Sequence, residues 1–350
     1  MLPQPFLSAT ALIETVGPWL LRLAAGASLA LFLSSLLELI RRGKASGDPS
    51  FRPIAERVLF PLLLGTLTVC FAILAWYHYR IWTDLPLTVP PEVGEWINNN
   101  LRAMERQGRG GLPPVDWSTP PRYAIPLWIE GEKFFFWSLV YAAALLYPYL
   151  RRTSLAFRTA LYGFLNIYVW GVLFFARPFT EPLVKFMTEV TPWFSAGAYL
   201  KAQLFFRLYP RMIFFYNAHY MWIHPPLMFA AYALLAVTFI ACIFMLFSAR
   251  REHEREAYAF AKIGYILLTF GMLIGYPWAL QAWGPNWWWD PKICSSIMMW
   301  AIYSTYLHTR LYANKPAMWY FSSILGILCF AAMIFTFLAS FFFPGEHTFQ

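Results

Sequence analysis

Between Gly275 and Lys292 the chain reads GYPWALQAWGPNWWWDPK, which sets five tryptophans, an aspartate and a lysine into eighteen residues between two apolar segments. Trp283, Trp287, Trp288 and Trp289 offer wide flat faces for a planar aromatic ligand, with Trp278 in the run that leads to them. Gly284, Pro285 and Pro291 interrupt helix and leave the backbone free to curve around such a ligand. A plainer origin for tryptophan here is an interfacial aromatic belt, which gathers at membrane boundaries and carries no chemistry. Asp290 either orients a ligand or closes a salt link with Lys292 that shapes the loop. Three histidines add nitrogen donors: His224 in W-I-H-P-P, His308 in the apolar segment after the tryptophan stretch, and His347 in the C-terminal G-E-H-T-F. Taken alone, a boundary histidine is ordinarily a hydrogen-bonded surface residue, whereas an ionisable group within a membrane defaults to a functional reading.

The spacing G-x-x-W-A-x-x-x-W-G-x-x-W-x-W-D-P-K matches, position by position, the tryptophan-rich signature of haem-handling proteins of cytochrome c biogenesis. The chain resembles CcsA/ResC-type proteins, specifically from about Gly275 to Arg310, at Trp222 to Pro226 and at G-E-H-T-F. The phrase IPLWIEGEKFFFW is faintly similar to the larger CcmF-type relatives. One position departs: the family usually has Glu after D-P-K, and this chain has Ile293. The resemblance implies a non-covalent haem b, with His224 and His347 matching the two external histidines that ligate it at the tryptophan-rich site. His308 then matches a membrane histidine that receives haem from the inner side, its second ligand coming from a CcsB/ResB-type partner. His219, five residues before His224, is the competing ligand, and His224 is preferred because it alone sits in the I-H-P-P context. Two imidazoles and a shallow aromatic bed agree with what a b-type haem needs.

Composition shows which elements must position these groups. With 59% apolar and only 13% charged residues, the chain reads as an all-α, polytopic membrane protein, a single membrane domain spanning residues 1–350. Eight apolar segments run approximately from Val16 to Ile40, Val58 to Ile81, Phe134 to Leu150, Thr159 to Ala176, Pro225 to Ala249, Ile263 to Ala282, Cys294 to Ala313 and Ala317 to Phe343. Each approaches the roughly 20 residues that a bilayer-spanning helix requires. MLPQPF lacks a basic n-region and the first apolar segment is too long for a cleaved signal, so a signal peptide is not expected. Basic residues cluster after the first segment (Arg41, Arg42, Lys44, Arg52, Arg57), the third (Arg151, Arg152, Arg158), the fifth (Arg250, Arg251, Arg255, Lys262) and the seventh (Arg310, Lys315). The positive-inside rule makes these the cytoplasmic loops and puts both termini outside, in the inner (plasma) membrane, with the tryptophan stretch on the outer, periplasmic side. The +9 net charge then reflects topology and contact with anionic membrane lipid, not nucleic acid.

Two outer loops, residues 82–133 and 177–223, join the tryptophan-rich loop 275–293 on that side. From Glu92 to Arg106, Val93, Trp96, Ile97, Leu101 and Met104 fall at helical spacing; Leu183, Phe186, Met187 and Val190 repeat the pattern. Both predict amphipathic helices on the outer surface. GRGG and the paired prolines after it predict a hinge, and Pro225 and Pro226 the first turn of a helix. Arg207 and Arg211 lie close in sequence to His224; an arginine there suits a ligand with carboxylates such as the haem propionates, or simply snorkels to headgroups. Cys70, Cys242, Cys294 and Cys329 form no C-x-x-C and no C-x-x-C-H, which excludes a thioredoxin-like pair and covalently attached haem.

The resulting expectation is a haem-handling membrane protein, a haem lyase component that presents haem b at the outer face for thioether attachment to the C-x-x-C-H motif of apocytochrome c. A haem-b electron-transfer subunit of a membrane respiratory complex is the alternative. A haem-independent permease leaves three histidines and the tryptophan run without a role.

Overall fold

In hydrocarbon, backbone N–H and C=O groups have no water to bond, so spanning segments become helices or closed barrels. This chain takes the helical route. The computed structural model describes residues 2–42, 53–107, 112–151, 153–248, 250–312 and 315–343. Along it run α1 (Gln4–Arg42), α2 (Ile54–Asp84), α3 (Pro91–Arg106), α4 (Glu132–Ala144), α5 (Leu146–Arg151) and α6 (Leu155–Gly171). The second half holds α7 (Val184–Ser195), α8 (Ala198–Arg211), α9 (Tyr220–Ser248), α10 (Arg251–Trp283), α11 (Pro291–Thr309) and α12 (Pro316–Phe342). π-helical turns extend α6 over Val172–Ala176 and α8 over Met212–Tyr216. Among the described residues there is no strand.

Among the described residues, seven segments are long and apolar enough to cross a membrane: Gln4–Arg42, Ile54–Asp84, Glu132–Arg151, Leu155–Ala176, Tyr220–Ser248, Arg251–Gln281 and Ala317–Ala339. The chain is a multi-pass membrane protein. The remaining predicted span corresponds to α11, whose 19 residues measure about 28 Å at 1.5 Å per residue. That length suffices, but serine, threonine, tyrosine and histidine dilute its apolarity. Its buried face carries Ser295, Ser296, Met299, Tyr303, Tyr306 and Thr309. Thr309 and Ser322 of α12 share a hydroxyl–hydroxyl bond of 2.6 Å, the kind of polar contact that holds helices together in lipid.

Contacts group the chain into two compact units. The first comprises Met1–Arg22, Thr66–Phe135 and Val172–Trp222. Within it the predicted amphipathic helices form, as α3 and α7. α3 buries Gly94, Ile97 and Leu101, while Trp96 is turned outward and meets Phe206 of α8 edge-on. The Trp117 indole donates to the Gly94 carbonyl at 3.0 Å. α7 buries Phe186, Val190 and Trp193, and the Glu130 carboxylate accepts the first backbone N–H groups of that helix, from Lys185 and Phe186, at 3.0 Å each. His78, the other histidine of an apolar segment, is buried and committed: Nε2 meets the Glu132 carboxylate at 2.9 Å and Nδ1 bonds the Ile125 carbonyl at 2.8 Å.

The second unit comprises Leu23–Gly65, Phe136–Gly171 and Ile223–Gln350. Its charged core is a buried fork. Arg158 donates through Nε to Glu56 Oε1 at 2.8 Å and through Nη2 to Oε2 at 3.2 Å, while the Tyr162 hydroxyl donates to Oε1 at 2.7 Å. A bidentate arginine with a third donor satisfies a carboxylate that burial would otherwise penalise heavily. Ser28 donates to Asn166 at 3.0 Å, and Phe239 stacks on Phe330 with centroids 4.2 Å apart.

The prolines of W-I-H-P-P do not open a helix. α9 begins at Tyr220, so Pro225 and Pro226 lie inside it. Pro225 has no N–H to give the Met221 carbonyl, and the Trp128 indole takes that acceptor at 2.5 Å. The predicted hinge at GRGG falls on residues 108–111, outside the described residues.

Candidate functional site

The tryptophan stretch is built from the end of one helix and the start of the next. α10 stops at Gly284, whose φ of +74° suits glycine and few other residues. Trp287, Trp288 and Trp289 then form a single 3₁₀ turn. The Trp288 and Trp289 rings stack with centroids 4.1 Å apart and remain 45% and 66% exposed. Trp287 meets Tyr276 of α10 edge-on at 5.2 Å, which ties the turn back onto that helix. Trp278 is half-buried on α10; the side chain of Trp283 lies outside the described residues.

Asp290 is buried and caps α11. Its Oδ1 accepts from Lys292 N at 2.9 Å and Ile293 N at 3.3 Å. Pro291 occupies the first helical position, where no N–H is needed, and the Asp290 N–H itself bonds the Trp287 carbonyl at 3.2 Å. One carboxylate oxygen therefore serves the first-turn donors, and the capping residue is hydrogen-bonded to the tryptophan turn. Capping is a role beyond the two the sequence offers for Asp290, orienting a ligand or closing a salt link with Lys292. Ile293 is half-buried in that same first turn.

His224 lies in the early part of α9 against α10. Its Nδ1 is 2.7 Å from the Gly271 carbonyl. A carbonyl only accepts, so Nδ1 is the donor and the lone pair of the neutral ring sits on Nε2, the nitrogen fit to bind a metal. Gly275 lies against the same imidazole, and its neighbour Tyr276 carries Trp287. The structure thus links His224 and the tryptophan turn through two consecutive residues of α10.

His308 is exposed in the last turn of α11, with Nδ1 bonded to the Ser304 carbonyl at 2.8 Å. Its separation of fourteen positions from Cys294 carries it about 21 Å along the helix. His219 is exposed just before α9. Arg207 is exposed on α8, and Arg211 is paired with Glu189 at 2.7 Å. His347 lies outside the described residues. A donor imidazole held by a backbone carbonyl, together with half-exposed aromatic faces, fits a porphyrin-bound metal. Sequence reasoning missed Gly271 and Gly275 as partners of His224, because helical spacing within α10 cannot reveal what α9 lays against it.

Residues 129–345 match the cytochrome C assembly protein family. Among curated relatives, "Cytochrome c biogenesis protein CcsA" of Prochlorococcus marinus is 46% identical over 65 residues, 19% of this chain and 21% of that protein. The protein of the same name from Piper cenocladum is 45% identical over 68 residues, 19% of this chain and 21% of its own. That of Synechococcus sp. strain CC9902 is 33% identical over 88 residues, 24% and 28% respectively. The matched stretches span about a fifth to somewhat over a quarter of these relatives' length. No solved structure matches the chain.

Proposed function

The chain belongs to the cytochrome C assembly protein family, and from that premise we propose that it handles haem b in cytochrome c maturation, presenting it at the outer face of the inner membrane to apocytochrome c. The observation that carries this reading is the link, within one unit, between an imidazole whose Nδ1 is held by a carbonyl and a turn of three tryptophans with two exposed, stacked rings. The names of the relatives, proteins of cytochrome c biogenesis, support it.

His224, through Nε2, and His347 would hold the haem, and Trp287, Trp288 and Trp289 would offer it their aromatic faces. When bound, haem supplies two vinyl groups, across which the two thiols of an apocytochrome C-x-x-C-H motif add to form thioethers. The chain's own contribution is orientation: it fixes where the ring lies, and the cofactor and substrate thiols carry the bond-forming chemistry. His308, exposed on α11 and about 21 Å along the helix from Cys294, serves a separate membrane site whose second ligand comes from a partner chain of CcsB/ResB type.

A pyridine haemochrome assay on protein purified with its membrane partner tests the reading. Non-covalent haem b is expected. His224→Gly and His347→Gly each lose the outer haem, and free imidazole partly restores it by filling the cavity. His219→Gly has a mild effect. Wild-type protein devoid of haem under adequate supply, or a severe loss in His219→Gly beside a mild one in His224→Gly, overturns it.

A further inference from the structure

Gly275 has no room for a side chain. A Cβ built there stands 2.7 Å from both Cε1 and Nδ1 of His224, closer than real Cβ atoms come to other heavy atoms, and 3.2 Å from Cγ. The imidazole therefore occupies the space that any other residue at position 275 would fill. One turn earlier on the same helix, the Gly271 carbonyl bonds Nδ1 at 2.7 Å. Two residues beyond Gly275, Pro277 lacks the N–H that would bond the Leu273 carbonyl, which favours a bend in α10 at this level.

We propose that Gly275 is a positioning residue for His224: lacking a Cβ, it lets the imidazole lie against α10 with Nδ1 held by the Gly271 carbonyl and the metal-binding lone pair fixed on Nε2. The proposal rests on the reading of His224 as a haem ligand. It also gives the first glycine of the tryptophan-rich stretch a task that involves no contact with the haem. Residues that hold the second nitrogen of a ligating histidine set its tautomer and ring orientation, and losing them typically costs about 10–100-fold in metal affinity.

Plain helix packing is the competing account, and α10 contains its own control. A Cβ at Gly264 would meet the Tyr303 hydroxyl oxygen at 2.6 Å and Leu234 Cβ at 3.3 Å, tight packing contacts that do not involve His224. Gly264→Ala and Gly275→Ala make the same chemical change eleven residues apart in one helix, and each gains helix propensity by about 1 kcal/mol. Gly264→Ala displaces Tyr303, whereas Gly275→Ala must displace the imidazole.

The experiment uses the full chain purified with its membrane partner, and haem per chain, visible spectra and haem affinity are measured. Gly275→Ala is expected to weaken haem binding about 10-fold or more, and Gly264→Ala to stay within about threefold of wild type. The double variant His224→Gly with Gly275→Ala, given free imidazole, should bind haem as well as His224→Gly does under the same conditions, since no tethered ring is left to clash. A haem-independent reading comes from ¹⁵N-histidine spectra of the apoprotein. The signal that vanishes in His224→Gly should report Nδ1–H in wild type and Gly264→Ala, and lose that signature in Gly275→Ala. Wild-type haem binding and an unchanged tautomer in Gly275→Ala overturn the proposal, as does a double variant that imidazole fails to restore. Full haem retention in His224→Gly sinks the ligand reading instead, and the ¹⁵N result then still decides whether Gly275 sets the ring.

Discussion

Asp290 offers the sharpest test of how the tryptophan turn is held. Its Oδ1 accepts from both Lys292 N and Ile293 N, at 2.9 and 3.3 Å, and its own N–H reaches the Trp287 carbonyl at 3.2 Å. Asp290→Ala removes the cap, which ordinarily costs about 1 kcal/mol within a range of roughly 0.5–2. If the turn must be ordered to bind haem, that energy appears as about a fivefold loss of affinity, since 1.4 kcal/mol is a factor of ten. Asp290→Asn keeps an equally good capping oxygen and loses only the interaction of charge with the helix dipole, some tenths of a kcal/mol. The expected order is wild type, then Asn within about twofold, then Ala. Lys292→Ala leaves both backbone donors in place and should bind nearly as wild type. The assay is titration of apoprotein with haem, followed at the Soret band. An Asn variant as weak as the Ala variant, or a Lys292→Ala variant as weak as either, would refute capping and return Asp290 to a charge-dependent role, as ligand orienter or salt-link partner.

Further expectations concern topology, the second histidine site and the buried fork. Reporter fusions after Lys44 and after His253 should report cytoplasm and one after Gln350 the exterior; a cytoplasmic C-terminus would put His347 across the membrane from the tryptophan turn and end the bis-histidine reading. If haem arrives from the inner side, His308→Ala should lower haem at both sites while His347→Ala empties only the outer one, as read by haem content and cytochrome c maturation, and unchanged values in His308→Ala would return that residue to a structural role. Glu56→Ala leaves Arg158 buried without its counter-charge and should cost roughly 3–5 kcal/mol, read as a lowered melting point in detergent, with haem spectra of the surviving protein unaltered. A melting point unchanged by Glu56→Ala would mean that the fork contributes nothing to stability.

Much of the fold was legible because in a membrane the local rule is also the global one. Apolar runs must be helical wherever they sit, so seven of the eight predicted segments reappear as helices that can span. The eighth, α11, forms as a helix too, but Ser295, Ser296, Tyr303 and Tyr306 are buried and Thr309 bonds Ser322 of α12, a use of polar residues that composition alone does not separate from a weak span. Amphipathic spacing likewise located α3 and α7, since a period of 3.6 is a property of the local chain. α9 starts five residues before the point that the first-turn preference of Pro225 predicts. The Met221 carbonyl that Pro225 frees is satisfied by Trp128, more than ninety positions earlier in the chain.

The sequence by itself determined the helical class, the aromatic turn between α10 and α11, and which residues offer aromatic faces and imidazole nitrogens, because each of these depends on neighbours within a few positions. Only the tertiary structure decided what those residues do to one another. That His78 is consumed by Glu132, that Arg211 is paired with Glu189, and that Asp290 caps α11 all depend on where side chains meet. The same holds for His224, whose Nδ1 is fixed by a carbonyl 47 residues away and whose ring takes the place of a missing Cβ. A tautomer and a steric vacancy are relations between two helices, and periodicity along one of them carries no record of the other.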